Sequence, residues 1–284
     1  MPLFFKNYEN LKRTEQWQKI IVLGLESLKN TKIGDKDKAL IQTRLASSYY
    51  YLGKYVNAYH MAFAALENAK KAKNDDLSAK SLYLISATYR ARALAAKTSK
   101  DHYDEYKRFA NDNIQKALNL ALTSKVNDFI KAKVFFNAGA LHHDLIYFLE
   151  ENERNAQFET AAEYYQESRK LFQPSSDDFN RVVIRYIRLM MDNQKIETFA
   201  KLIDLTKEIG ININKKTKTG VQFLHLLSKI SLHFKEYENA RQYASEALVT
   251  AEAKSMHTEI NMLNQLINDS NIEENQECSK LKFH

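Results

Sequence analysis

The stretch "ALIQTRLASSYYYLGKYVNAYHMAFAALENAKKA", residues 39–72, breaks into two amphipathic helices at Gly53. With an advance of about 100° per residue, Leu45, Ala46 and Tyr49 share one face of the first helix, and Tyr55, Ala58, Ala62, Ala65 and Leu66 share one face of the second. The same spacing returns in "VQFLHLLSKISLHFKEYENARQYASEALVTAEAK", residues 221–254, where Leu224, Leu227, Ser228, Lys235, Tyr237, Ala240, Ala244, Ala247 and Leu248 stand in corresponding places. Two copies of a unit 34 residues long identify a repeat protein, in which each hairpin buries its apolar surface against its neighbours. The small residues Ala46, Ser228, Ala58 and Ala240 let helix backbones approach closely, and the aromatics fill the wedge between hairpins.

Both units resemble the tetratricopeptide repeat, a helix-turn-helix unit with a large apolar residue, Leu then small, an aromatic, a tight turn, a second aromatic, and alanines where helices cross. Three looser units lie between them. "SLYLISATYRARAL" supplies Leu82, Ile85, Ser86 and Tyr89, and "YKRFANDNIQKALNLAL" supplies Ala110, Ile114, Ala117 and Leu118, with a long turn around Lys97 to Asp101. "VFFNAGALHHDLIYFLEE" pairs through Phe135, Ala138 and Gly139 with Phe158, Ala161 and Tyr165 of "FETAAEYYQESRKLF", on lengthened helices. "FNRVVIRYIRLMMDNQKIETFAKLIDLTKEIG" completes the set with Ile196, Phe199 and Ile203 on its second helix. The resemblance implies an all-α, right-handed α-α superhelix of about six to seven hairpins. The expected organisation is a capping hairpin over 1–36 with helices near 3–13 and 15–29, a repeat array over 37–254, a capping helix over 255–269, and a polar tail over 270–284.

Composition agrees with one continuous soluble array. The 284 residues include only six glycines and two prolines, and no linker-like run interrupts residues 40–269. A hydrophobic fraction of 44% and a charged fraction of 27% belong to a folded soluble chain. Lys and Arg exceed Asp and Glu by seven, which favours anionic partners. The one cysteine, Cys278, excludes intrachain disulfides and Cys-based metal sites. No run has the length of a signal-peptide core or a membrane span, so a cytoplasmic protein without membrane insertion is expected; a C-terminal or cryptic secretion signal would escape this test.

The segment "RVVIRYIRLMM", residues 181–191, carries the most pointed functional pattern. Arg181, Arg185 and Arg188 fall within an arc of roughly 60°, opposite Val183, Tyr186, Ile187 and Met190. Aligning those apolar residues with the repeat's buried positions puts the arginines on the inner, concave wall, which the resemblance assigns to the first helix of each hairpin. The same alignment places Arg44, Ser47 and Tyr50, then Lys80, Tyr83 and Arg90, then Lys133, Phe136, Asn137 and His143, then Gln222, His225 and Lys229 along it. Such a wall suits an acidic peptide, because guanidinium forks bind carboxylates and an asparagine pairs with a peptide unit. Many proteins with this repeat bind peptides in the groove, some by a lysine and asparagine clamp on a terminal carboxylate; only Asn137 here stands at a comparable position. The competing account is a solvated basic face, since Asp177 and Asp192 lie four residues from Arg181 and Arg188, while no acid lies four residues from Arg185.

No motif supports catalysis or a cofactor: there is no Gly-rich phosphate loop, HExxH, nucleophile elbow or Cys and His pairing. His142, His143 and Asp144 are adjacent on a helix and point apart, which favours packed or solvated histidines over a metal site. The sixteen tyrosines read as repeat wedges before base-stacking platforms. The leading reading is a non-enzymatic protein-interaction module taking an acidic or carboxylate-bearing segment in a basic groove. The long, degenerate units also resemble those of bacterial peptide-sensing regulators, without the DNA-binding helix-turn-helix that such regulators carry ahead of the repeats. Nucleic-acid binding by the basic wall, and an accessory subunit using its convex face, remain as alternatives.

Overall fold

A computed structural model describes residues 3–174, 176–208, 213–254 and 256–281; at 3, 208, 257, 258 and 277–281 it describes the backbone alone. Among the described residues there are thirteen helices and no strand. The chain divides into an N-terminal unit, residues 1–171, and a C-terminal unit, residues 172–284. The N-terminal unit holds α1 (Leu3–Arg13), α2 (Trp17–Leu28), α3 (Asp35–Tyr51), α4 (Tyr55–Lys71), α5 (Asp75–Ala95), α6 (Lys100–Thr123), α7 (Asp128–Asp144) and α8 (Glu151–Leu171). The C-terminal unit holds α9 (Asp177–Asp192), α10 (Phe199–Glu208), α11 (Lys218–His233), α12 (Tyr237–Ala253) and α13 (His257–Leu281). The architecture is all-α and tetratricopeptide-like, with consecutive helices α3 and α4, α5 and α6, α7 and α8, and α11 and α12 packed as hairpins.

Local chemistry sets where these helices begin and end. Asn74, Asn127, Ser176 and Thr217 cap α5, α7, α9 and α11, each side chain accepting from a backbone N–H three residues on. Among the described residues five helices end in the same closure, with the reversing residue at positive φ: Glu15 (56°), Gly53 (71°), Lys73 (48°), Gln194 (52°) and Lys235 (61°). After α3, Gly53 N donates to Tyr50 O at 3.0 Å and Lys54 N to Tyr49 O at 2.9 Å. After α11, Lys235 N donates to Leu232 O at 2.9 Å and Glu236 N to Ser231 O at 2.8 Å. Position 53 and its counterpart 235 therefore adopt one conformation, although only the first has the residue that takes it without steric cost.

The small residues lie where the repeat requires them. Ala46, Ala58, Ala62 and Ala65 are buried in the first matched unit, as are Ser228, Ala240, Ala244 and Ala247 in the second. Ser228 Oγ also donates across the hairpin to Ala240 O at 2.8 Å, and Ser168 Oγ does the same to Ala132 O. At Gly139 a Cβ would stand 2.8 Å from the Tyr165 ring and 3.2 Å from Ala161 O, so α7 and α8 cross closer than any side chain at 139 permits.

Some boundaries differ from the sequence reading. The extra residues of the α5 and α6 hairpin lengthen the helices to 21 and 24 residues instead of extending the turn, which is left with only 96–99. Ile196 is buried but precedes α10. In α9 the buried set is wider than expected, adding Val182 and Leu189 to Val183 and Ile187, while Tyr186 and Met190 are half-buried. Residues 270–281, expected as part of a tail, continue α13. The extension has a packing reason: Leu263, Leu266 and Ser270 bury one stripe, and Glu274 pairs with Arg241 of α12 at 2.6 Å. The side chain of Cys278 and all of 282–284 lie outside the described residues. Among the described residues no helix is long and apolar enough to cross a membrane.

Candidate functional site

In the N-terminal unit the first helices of the hairpins, α1, α3, α5 and α7, bring cations together around Lys80. Lys80 is half-buried on α5, and the charges that act on it are Arg44 of α3, Lys12 of α1 and Lys133 of α7, with Glu9 of α1 as the opposing carboxylate. Burial first, and then the three neighbouring cations, draw the Lys80 ammonium down to about 7. Among the described residues no acid lies within ion-pair distance of it and no acceptor within hydrogen-bond distance.

Arg44 shows how this face is built. Its side chain is 16% exposed, with the guanidinium 4.0 Å from the centre of the Tyr8 ring and 5.2 Å from that of Phe5. Nη2 stands 3.7 Å from the exposed Glu9 carboxylate, while Nη1 is buried with no hydrogen-bond acceptor. Burial lowers the affinity of this guanidinium for its proton, and Tyr8 and Glu9 work the other way. Lys133 lies with Nζ 5.5 Å from the centre of the Phe129 ring. Of the residues expected on the wall, Arg44, Lys80 and Lys133 are thus gathered here. Lys12, Tyr8 and Glu9 belong to the same cluster and were not anticipated, because α1 matches no repeat position.

A second group from the expected wall is spent inside the fold. Arg90 is 7% exposed, with Nη1 3.7 Å from Asp144 Oδ2 and Nη2 donating to Tyr50 Oη at 3.4 Å. It ties the C-terminal ends of α3, α5 and α7 by charge, with Nη1 making no hydrogen bond. Tyr83, Asn137 and His143 are also buried. Asn137 Nδ2 donates to Lys133 O at 2.8 Å within its own helix, and His143 lies 3.4 Å from Tyr165 Oη. Phe136 is half-buried and tilts against the Tyr165 ring, and Ser47 bonds back to Thr43 O. Arg90 faces inward because α3, α5 and α7 meet around it, and Phe136 and His143 because they pack on Tyr165 of α8, long-range facts that spacing within one helix does not encode. His142 stacks on Tyr164 and meets Gln157 Oε1 at 2.5 Å, so the histidine pair is packed. Among the described residues no group of three or more His, Cys, Asp or Glu is placed to hold a metal.

In the C-terminal unit the arginine row is more open. Arg181 and Arg185 are half-buried and Arg188 is exposed. Arg181 pairs with Asp178 at 3.9 Å, one residue along from the Asp177 suggested by spacing, and Arg188 pairs with Asp192 at 3.8 Å as the spacing predicts. Gln222 and Lys229 are exposed on α11 and His225 is half-buried between them. Burial lowers the His225 imidazole below its usual range; Lys229 and Arg188 add to this, and Glu259 opposes it. Arg188, His225 and Lys229 are therefore near neighbours across α9 and α11.

Net charge separates the two units. Residues 1–171 contain 27 Lys and Arg against 20 Asp and Glu, whereas residues 172–284 contain 15 of each. The whole surplus of seven lies in the N-terminal unit.

No protein-family model matches the chain, and no curated protein matches it in sequence. Solved structures do match it in fold. The apo form of RapI is similar over 98% of this chain and 97% of its own, at 13% identity and a TM-score of 0.51. A Rap protein complexed with Competence and Sporulation Factor is similar over 96% of this chain and 76% of its own, at 13% identity and a TM-score of 0.56. At such identity the likeness establishes a shared tetratricopeptide-like fold.

Proposed function

We propose that this chain is a non-catalytic protein-interaction module that takes an acidic segment of a partner on the first-helix face of its N-terminal unit. The observation that carries this reading is the positive potential of Lys12, Arg44 and Lys133 at the Lys80 ammonium, which has no acid in ion-pair range among the described residues, in the unit that holds all the surplus positive charge. Positive potential around an ammonium with no acid in ion-pair range among the described residues favours an anionic ligand, and the Phe5 and Phe129 side chains nearby offer apolar contact to its other residues. The Rap protein solved with Competence and Sporulation Factor supports the view that this fold hosts a partner. Arg181, Arg185 and Arg188 form a separate cationic set, half engaged by their own helix's acids, and rank second as a binding surface.

Selection of peptides from a random display library on the full chain tests the reading. The expected outcome is enrichment of Asp and Glu among the binders, with loss of binding on Lys80→Glu or Lys133→Glu and a smaller effect of Arg185→Glu. Binders without acidic enrichment, or binding that Lys80→Glu leaves unchanged, would overturn it. A single-stranded RNA of random sequence is the control: binding to it that exceeds peptide binding and collapses between low and moderate salt would favour the nucleic-acid alternative.

A further inference from the structure

We propose that a row of aromatic rings running from α4 across α5 to α6 is a docking surface for a proline-rich segment of another protein, extended as a polyproline II helix and flanked by basic residues. The row draws mainly on second helices and uses none of the cations around Lys80, so it stands independently of the acidic-partner reading. α4 and α6 both pack on α5, and the rings join them. Phe63 and Tyr59 of α4 have ring centres 6.0 Å apart, Tyr59 meets Tyr89 of α5 at 5.4 Å, and Tyr89 meets Tyr106 and Phe109 of α6 at 6.1 and 5.1 Å. His102 stacks on Tyr106 at the far end. Phe63 is 48% exposed and His102 is exposed, while the rings between them are half-buried, so the row keeps one side in water. Repeat packing does not demand these rings. In the register that pairs Gly53 with Lys235, the second matched unit has Arg241 and Ser245 where the first has Tyr59 and Phe63. Surface aromatics held by their neighbours lose little freedom on binding and make good interface anchors.

Successive rings from Phe63 to Tyr106 are tilted against one another by 35°, 67° and 36°, which leaves furrows between ridges and no flat platform. A compact pyrrolidine ring seats in such a furrow, whereas a nucleobase needs a parallel face to stack on. One turn of a polyproline II helix advances about 9 Å, the scale of the two ring steps from Tyr59 through Tyr89 to Tyr106. The carbonyls of that helix have no internal hydrogen bonds and need donors. Arg92 is half-buried beside the row, with its guanidinium 4.2 Å from the centre of the Tyr106 ring and 5.4 Å from that of Tyr89. It donates to Tyr106 Oη at 2.9 Å and has no acid in ion-pair range among the described residues, which leaves further N–H groups for a partner's carbonyls. Charge sets the flank. On α6 the ring positions 102, 106 and 109 are each preceded by an exposed charged residue, Asp101, Glu105 and Arg108, and the exposed Asp112 continues that stripe. Acids outnumber the one arginine there, which disfavours a phosphate backbone beside the rings and favours lysine or arginine next to the prolines.

The test is fluorescence anisotropy of the full chain at neutral pH with three labelled probes: decaproline with an arginine at each end, a glycine-serine decamer with the same arginines, and decauridylate. The proline probe should bind roughly tenfold more tightly than the glycine-serine one. Phe63→Ala and, independently, Arg92→Met should each weaken the proline probe by about fivefold, the scale of one interface anchor or one hydrogen bond. Leu122→Ala, which removes an exposed apolar residue near the other end of α6, should not. Because Phe63 is so exposed, its truncation alters the surface and not the core, and unchanged thermal melting of each variant shows that the losses are not unfolding. Equal affinities for the proline and glycine-serine probes would overturn the polyproline assignment, since the arginines alone would then account for binding. Proline binding that Glu105→Lys leaves unchanged at low salt would overturn the basic flank. Tighter binding of decauridylate, lost in Phe63→Ala, would assign the row to nucleic acid and overturn the proposal. Absence of binding by the proline probe, or binding indifferent to both Phe63→Ala and Arg92→Met, would overturn it as well.

Discussion

Arg90 and Arg188 sit towards the C-terminal ends of first helices in the two units, and they do opposite things. Arg90 is buried among three helices, donating to Tyr50 and facing Asp144 at 3.7 Å, whereas Arg188 is exposed and pairs with Asp192 one helical turn along its own helix. The same contrast holds for each unit as a whole. The N-terminal unit carries the full charge surplus and holds part of it against aromatic rings; the C-terminal unit is neutral, and its arginine row is answered by acids built into α9. A row of arginines at helical spacing therefore fixes a shared face, but the groups across from that face decide whether each cation is structural, solvated or offered to a ligand.

Replacing Arg90 should give the largest effect and is the sharpest way to break this contrast. Arg90→Met leaves Asp144 in a mostly buried position without this cation, and the stability loss should be about 3 kcal/mol, at the low end for a buried pair because the 3.7 Å contact lacks a hydrogen bond. Arg188→Met should change stability by less than about 0.5 kcal/mol, as expected of an exposed pair. Urea unfolding midpoints of the two variants decide it. Equal, small losses would mean that Arg90 is held by packing of its stem alone.

The next effect sets the two matched repeats against each other. Ala58 and Ala240 are both fully buried at the crossing of their hairpins. Ala58→Leu and Ala240→Leu should each destabilise by about 1 to 3 kcal/mol, because a close helix crossing admits three more heavy atoms only by displacement. If only one of them does so, the two units do not share a packing geometry despite their matching spacing.

How far the sequence could be read follows the same divide between local and distant information. The matched repeats were legible because small and aromatic residues recur at a helical period, and that period is a property of each helix by itself. The lysines and arginines of the wall were legible as a face for the same reason. The burial of Arg90 was not, because its partners Tyr50 and Asp144 belong to other helices and no local pattern ties them to it. Lys12, Tyr8 and Glu9 were missed because α1 has no repeat signature, and the continuation of α13 was missed because "NIEENQE" has one apolar residue, Ile272, and no apolar stripe, so it reads as a tail until Glu274 is seen against Arg241.

A smaller effect concerns the turn that the two repeats share. Position 235 holds lysine at φ 61°, where position 53 holds glycine at φ 71°. A non-glycine residue in this conformation is disfavoured by roughly 1 kcal/mol, and glycine's extra freedom in the unfolded chain takes back part of the relief. Lys235→Gly should therefore stabilise by about 0.5 kcal/mol and Gly53→Ala should destabilise by about 1 kcal/mol. Thermal melting of both variants checks the pair, and a loss on Lys235→Gly would mean that the lysine side chain contributes more than its backbone strain costs.

The smallest effect tests whether the cation cluster of the N-terminal unit is under electrostatic strain. The Lys80 ammonium falls from its ordinary 10.5 to about 7 in the folded chain, chiefly through burial and then through Arg44, Lys12 and Lys133. Between those values the unfolded chain binds a proton that the folded chain does not, so the number of protons bound is greater in the unfolded state and stability must rise with pH across this window. Below about 7 both states are charged and the folded state bears the full penalty; as pH rises above that value the penalty is progressively relieved. Because the side chain is only half-buried, solvent screens the effect and the slope should be shallow. Tyr8, buried, and Tyr89, half-buried, each pushed up to about 12 mainly by burial, act in the opposite direction only above the ordinary tyrosine value of 10.0, and Lys107, lowered by burial, acts in the same direction in both proteins. Unfolding free energies of the wild type and Lys80→Met, measured across that window, should converge as pH rises, with Lys80→Met the more stable near neutrality. Parallel pH profiles would show that Lys80 keeps its proton in the folded chain and that the surrounding cations are fully solvated.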